Sequence, residues 1–343
     1  MLRIKLDRIT SNFSSIVITD ATSFELPVCY SEKYKGFGGN HGVRAGMKIQ
    51  HQLSLTNGKA KIEVCSATRS DFKSEIIQPQ KGELHLFDLG YFEFPRFIEF
   101  DHKQAYYLSR LKLNTVVWVN TERGWEVLDW VKLNSKIHAS EVLELEVKLG
   151  NNKELSTRMF VRKLSPEISA RKRKELKRYC QRHKNTPTKK RLAICDLSIH
   201  ITNAPAALID KNEVLKIYSL RWQIELQFKG WKSFMNIHKV RPAKIERLEC
   251  QIYGALIYGL CLFKIAFEAK VQIWKMHQIE ISELKTIRFL STFIELLDQL
   301  VHPNQTLKAQ HWMKTLELIR STCKKEYKNK LKTPMNTIKI ALS

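Results

Sequence analysis

Ser14-Ser15-Ile16-Val17-Ile18-Thr19-Asp20-Ala21-Thr22-Ser23-Phe24-Glu25-Leu26 opens with a β-branched run that reads as a buried strand. Asp20 sits at the end of that run, where a carboxylate is unwelcome unless it is used. Working outward, Gly46 to Leu55 and Ala60 to Ala67 are two further strand-like segments. Thr56-Asn57-Gly58 between them is a hairpin signal, because Asn-Gly accepts positive φ cheaply. Glu83 to Leu89 is another short buried strand, with Asp88 near its end. Phe94 to Leu113 has helical spacing, and Asn114 to Asn120 and Arg191 to Thr202 read as strands. Asp210 then starts a long helix, with Glu213 three residues on as a capping-box variant. This alternation predicts an α/β fold, a mixed sheet with helices outside. The two aspartates lie at strand ends, where ligand chemistry gathers in such sheets.

Thr121 to Val161 alternates polar and apolar residues and predicts a small antiparallel β insertion carrying Trp125 and Trp130. Arg162 to Arg191 is the most basic stretch, with 13 Lys and Arg against Glu167 and Glu175, and Ser169 to Gln181 within it is helical in character. Beyond Ala243 the chain is helical with heptad-like apolar spacing and ends in a Lys-rich segment, Lys324 to Lys332. These boundaries predict a core in two parts, 1–120 and 191–242, around a β insertion at 121–161. A basic helical segment at 162–190 and a helical C-terminal region at 243–343 complete the expected organisation. The Gly-rich loop Gly36 to Gly39 lacks the pattern of a nucleotide cradle and does not open a helix.

Over 343 residues, 58 Lys and Arg stand against 34 Asp and Glu, a formal charge of +24. With 43% apolar residues the chain can bury a sizeable core, which excludes a mainly disordered basic tail. Such a surplus attracts polyanions, nucleic acid first and anionic membrane surface as the rival. The seven cysteines are scattered without a C-x2-C pair, and the eleven histidines show no H-x3-H spacing. That argues against a disulfide framework and against zinc. Met1 to Thr10 has no apolar core of a signal peptide. The apolar run Gln251 to Phe263 falls short of the ~20 residues a spanning helix needs and reads as a core helix. The expectation is a soluble, cytoplasmic protein with no membrane partner.

On a helix from Asn212 to Met235, Tyr218, Arg221, Glu225 and Lys232 fall within roughly 60° of one another at 100° per residue. Apolar residues flank this charged stripe on both sides, unlike an ordinary solvated face. The bland reading is an Arg221–Glu225 i,i+4 pair contributing a few tenths of a kcal/mol. The spacing Tyr218-x2-Arg221-x3-Glu225-x6-Lys232, however, resembles the Y-x2-R-x3-E-x6-K signature of insertion-sequence-4-type DDE transposases. Thr19-Asp20-Ala21-Thr22-Ser23-Phe24 and Asp88-Leu89-Gly90-Tyr91 are similar to the segments bearing that family's first and second catalytic aspartates. The resemblance spans residues 13–240.

It implies a ribonuclease-H-like core with Asp20, Asp88 and Glu225 as a catalytic, metal-binding triad. Three carboxylates cannot all stay ionised at close range without cations, and an all-oxygen set suits two Mg²⁺ ions, with Mn²⁺ as a plausible substitute. Ions about 4 Å apart would assist an in-line phosphodiester displacement. Tyr218, Arg221 and Lys232 would hold phosphate oxygens, and Trp125 or Trp130 would stack a flipped base, although a Trp in a β module is more often core. The implied partners are double-stranded DNA, as transposon ends and as target, and a second copy in a homodimer on DNA. Relatives carry an end-binding domain before the first aspartate, so an N-terminally truncated copy is expected. Two other readings stay open: a catalytically idle DNA-binding remnant, and a ribonuclease-H-like nuclease without strand transfer.

Overall fold

The computed structural model describes residues 12–37, 42–138, 141–292 and 305–325. Met1 to Thr10, half of the Gly36 to Gly39 loop and most of Lys324 to Lys332 lie outside the described residues. Along the chain come β1 (Ser15–Leu26), β2 (Ala45–Ser54), β3 (Ala60–Ser66), β4 (Glu83–Phe87), α1 (Phe94–His102) and β5 (Tyr106–Arg110). There follow β6 (Val117–Thr121), β7 (Gly124–Val127), α2 (Trp130–Lys136), β8 (Val142–Leu149), β9 (Leu155–Lys163), α3 (Pro166–Arg182), α4 (Lys189–Ile194) and β10 (Leu197–Thr202). The helices α5 (Val214–Ser219), α6 (Gln223–Ser233), α7 (Ile245–His277), α8 (Glu283–Thr292) and α9 (Gln305–Thr322) close the described chain.

The chain forms two compact units. One takes the described parts of Ile18–Ile77 and Leu220–Ser343, the other those of Ile9–Val17 and Gln78–Ser219. In the first, the strand order is β3-β2-β1, with β2 and β3 antiparallel from Met47 opposite Ser66 to Leu53 opposite Ala60. The Asn-Gly turn between them is real but longer than a two-residue hairpin: Ser54 N–H donates to Lys59 O, and only Gly58 takes positive φ, at 68°. A Cβ there would lie 3.2 Å from the Phe267 ring, so the turn is also packed against α7. β2 is buried along its whole length, polar Lys48, Gln50, His51 and Gln52 included. α7 buries Leu248, Ile252, Leu256, Gly259, Leu262, Phe263 and Ala266, the three-and-four spacing of one helix face. By length and composition alone α7 could cross a membrane; in this structure that face is covered by α6, α8 and α9.

In the second unit the order is β4-β5-β10-β9-β8-β6-β7. β4 and β5 are parallel, while β10 runs antiparallel to both β5 and β9, and the pairs through β8, β6 and β7 are antiparallel. Phe87, Phe97, Phe100 and Tyr107 pack edge-on or stacked beneath β4 and β5, with ring centroids 4.2–6.2 Å apart. The second unit is thus a mixed sheet with flanking helices, the α/β alternation that the sequence predicts.

Four boundaries differ from expectation, the first being the strand expected over Arg191 to Thr202, whose opening residues belong to α4 and which starts at Leu197. The helix expected over Phe94 to Leu113 stops at His102, because Gln104 turns to φ 53° and Tyr106-Tyr107-Leu108 then pairs as β5. Tyr106–Arg110 thus lies beside β4, and the expected strand at Asn114 to Asn120 pairs instead with β7 and β8. The expected β segment around Trp130 contains α2, capped by Asp129, whose carboxylate accepts from Val131 and Lys132 N–H. The long helix expected from Asp210 is interrupted by a 3₁₀ turn at Leu220–Trp222.

Candidate active site

β1 is fully buried from Ser15 to Thr19, and its exposure begins at Asp20. The strand continues to Leu26, so Asp20 marks the end of the buried half and not the end of the strand. Its Oδ1 accepts from Ala21 N–H at 2.8 Å. Its Oδ2 meets Arg221 Nη1 at 2.5 Å, across 201 residues of sequence. The other arm of the same guanidinium reaches Glu225 Oε1 at 2.7 Å. Arg221 is only 11% exposed, against 19% for Asp20 and 39% for Glu225. The i,i+4 pair of the bland reading therefore exists, but it is one half of a bridge between two carboxylates brought from distant parts of the chain. At the far end of α6, Lys232 Nζ donates to Ser23 O at 3.3 Å, tying the signature helix to the exposed half of β1.

α6 is held by a second contact. His51 of β2 donates from Nε2 to Gln227 Oε1 at 2.8 Å in the buried layer. The His51 ring packs against Phe228 and Trp231, and burial pushes its pKa down to about 4 despite that hydrogen bond. The signal that could have found it is the run of polar side chains inside β2. A strand carrying Lys, Gln, His and Gln within a buried face must offer them partners.

In the other unit, Asp88 follows β4 directly. Its Oδ1 is buried and has no hydrogen-bond partner among the described residues. One residue before it, Phe87 O accepts from Tyr218 Oη at 3.1 Å. The Tyr218 ring is 7% exposed, meets the His200 ring edge-on at 4.6 Å, and lies beneath the Arg110 guanidinium at 5.6 Å. The hydroxyl expected to hold a phosphate thus donates to a backbone carbonyl in this structure. Sequence reasoning misses Arg110, since β5 is hidden inside an expected helix, and His200, which the expected strand gives no reason to single out. Burial, then the positive charges of Arg110 and Lys172, push His200 down to about 3.

The two tryptophans part company. Trp130 is 3% exposed at the start of α2, so it is core and has no face to offer a base. Trp125 on β7 is half-buried, with Lys148 Nζ 4.7 Å from its ring centre. Of the basic stretch, α3 presents Arg173, Lys174, Lys177 and Arg178 along one exposed surface.

By their donor set the three acids fit the implied metal. Asp20, Asp88 and Glu225 offer only oxygen, the chemistry of a hard cation, and the orphaned Asp88 Oδ1 is an acceptor left over for one. Among the described residues, no group of three His, Cys, Asp or Glu side chains is gathered tightly enough to hold an ion, and the Asp20–Glu225 pair is gathered around a guanidinium instead.

Residues 11–260 match the family described as a transposase DDE domain. The chain belongs to the DDE transposase family, and its function is that of an insertion-sequence transposase, an enzyme of DNA transposition. It is 30% identical over 340 residues to the transposase for insertion sequence element IS231E of Bacillus thuringiensis subsp. finitimus, covering 94% of this chain and 71% of the relative. It is 29% identical over 348 residues to the transposase for element IS1151 of Clostridium perfringens, covering 96% and 73%. A solved piggyBac transposase synaptic complex with hairpin DNA aligns with 92% of this chain and 58% of that one, at a TM-score of 0.41 and 8% identity.

Proposed function

We propose that Asp20, Asp88 and Glu225 are the acids of a metal-dependent phosphodiester hydrolysis at transposon ends, followed by strand transfer into target DNA. On this reading the chain is of the insertion-sequence-4 type and uses two Mg²⁺ ions, with Mn²⁺ as substitute. The observation that carries it is the meeting of Asp20 and Glu225 at one guanidinium. Two acids from distant parts of the chain are brought to one cation there, which is how ligands of a shared ion would be placed. When bound, the ions would lower the pKa of an attacking water or 3′-hydroxyl and neutralise the leaving 3′-oxygen.

The chain's own residues then divide the work. Asp20 and Glu225 would be ligands from β1 and α6. Asp88 would contribute the oxygen that has no protein donor. Tyr218 holds the end of β4, and with it the backbone from which Asp88 projects. Arg221 and Lys232 remain the candidates for gripping phosphate, the first in a bidentate fork and the second as a point charge. Trp125 is the remaining candidate for stacking on an unpaired base. Two copies would act together across paired DNA ends.

The test is cleavage and joining of duplex DNA carrying the element's ends, with Mg²⁺ or Mn²⁺. Asp20→Asn, Asp88→Asn and Glu225→Gln should each lower cleavage by at least about 10³-fold while nonspecific DNA affinity stays within about twofold. Cleavage unchanged in any of the three removes that residue from the triad. Cleavage without joined product identifies a nuclease.

A further inference from the structure

Asp20 and Glu225 are bridged by a cation of the protein itself. Arg221 reaches Asp20 Oδ2 at 2.5 Å and Glu225 Oε1 at 2.7 Å, and it does so while largely buried. A guanidinium is planar and presents its donors in a rigid fork, so one arm to each carboxylate satisfies both acids at once. It also fixes them in an arrangement set by that fork, which differs from the compact oxygen cage of a small divalent ion. The same guanidinium is one of the few cations near these acids suited to bidentate contact with phosphate. One side chain is thus suited to two mutually exclusive tasks.

We infer that Arg221 is a built-in counter-ion of the apo site, which competes with divalent metal for Asp20 and Glu225 and is drawn off by DNA phosphate, so that metal loading and DNA loading reinforce each other. This rests on the proposed triad and adds to it a positioning role for Arg221. A ligand binds in proportion to the fraction of molecules whose site is open to it. While Arg221 closes the bridge, metal affinity is reduced by the closed fraction. Phosphate stabilises the open arrangement by taking over the guanidinium, which raises apparent metal affinity, and linkage requires metal to raise DNA affinity by the same factor. Without DNA the acids stay paired to Arg221, and the enzyme avoids holding reactive metal in an empty site. Lys232, whose contact is to the Ser23 carbonyl, has no such conflict and would serve as a phosphate contact in either state.

The experiment measures Mn²⁺ binding to the full chain, by the electron paramagnetic resonance of free Mn²⁺, with and without duplex DNA. Arg221→Gln should bind Mn²⁺ about tenfold more tightly than wild type without DNA, and Arg221→Lys, which keeps the charge and loses the fork, should fall between them. Adding DNA should tighten Mn²⁺ binding in wild type by about tenfold and leave Arg221→Gln within about twofold. Equal or weaker Mn²⁺ binding by both variants overturns the inference, and so does an unchanged DNA effect in Arg221→Gln. Asp20→Asn separates this from the underlying reading. If it binds Mn²⁺ as wild type does, the ion is not at these acids and the triad fails. If it loses Mn²⁺ while the Arg221 variants behave as wild type, the triad stands and the counter-ion role falls.

Discussion

Tyr218→Phe removes one oxygen and distinguishes two roles for the first residue of the signature. In the structure the hydroxyl donates to Phe87 O at 3.1 Å, beneath a ring that is 7% exposed. Phenylalanine fills the same space, so no cavity forms and the cost is the hydrogen bond alone, about 1 kcal/mol. The expected consequence is a small drop in global stability, read as a shift of the urea midpoint at unchanged slope. The end of β4 loses its anchor one residue before Asp88, and cleavage should fall by about tenfold, equivalent to ~1.4 kcal/mol in the barrier. DNA affinity, measured by fluorescence anisotropy at fixed salt, should stay within about twofold. A tyrosine bonded to phosphate would behave in the opposite way. Losing a hydrogen bond to a charged group costs about 1.5–3 kcal/mol, so the dissociation constant would rise by about 10- to 100-fold with stability unaltered. That pattern would refute the anchor and restore the phosphate contact.

The geometry sets four other outcomes. Replacing Lys174, Lys177 and Arg178 on the exposed surface of α3 by Gln should lower the slope of log affinity against log salt by about 0.9 for each phosphate no longer neutralised; an unchanged slope would make α3 a solvated helix. Gly259→Ala should destabilise by about 1 kcal/mol in thermal unfolding, because its Cβ would lie 2.9 Å from both Trp231 Nε1 and Met235 Sδ, an overlap larger than the gain in helix propensity. Lys270→Met should cost about 3–5 kcal/mol by stranding buried Glu283, and Lys270→Met with Glu283→Leu should recover most of it, as a double-mutant denaturation cycle would show. Finally, His51 is held neutral down to about pH 4 in the fold, whereas the unfolded chain binds that proton near 6.5. Stability should therefore fall as pH drops from about 6.5 to 4, by about 3 kcal/mol from this residue, and His51→Gln should flatten the decline in urea titrations.

How much of the fold is legible in the sequence depends on the range of the forces involved. β1, β2, β3 and β10 are readable because β-branched and apolar runs declare a buried strand locally. β5 is not, because Phe94 to Leu113 keeps an apolar rhythm through the helix and into the strand, and the break depends on one residue, Gln104, at positive φ. Trp130 reads as a strand residue because its neighbours alternate, but the Asp129 cap starts a helix there. Spacing brings Arg221 beside Glu225, as it would any i,i+4 pair. It has no means of placing Asp20 on the other arm, since that contact depends on how β1 and α6 pack. The motif order identifies the acids without showing that Arg221 binds two of them.

The signature does not lie on one uninterrupted helix: a 3₁₀ turn at Leu220–Trp222 separates α5 from α6. Tyr218, on α5, belongs to the same compact unit as Asp88 and bonds the strand that leads to it. Arg221, Glu225 and Lys232 belong to the unit that contains Asp20 and contact β1. The signature residues thus divide between the two units at Ser219 and Leu220. A glutamine in place of Leu220 tests the turn and not the charge. Leu220 is 6% exposed at the turn, so the change should weaken cleavage through the Tyr218 and Arg221 contacts together while leaving both residues chemically intact. Loss of stability by about 2–4 kcal/mol is expected from burying an amide there. Cleavage per folded molecule, measured at a temperature where the variant remains folded, should still fall by at least about tenfold. Full activity per folded molecule would mean that the turn is incidental.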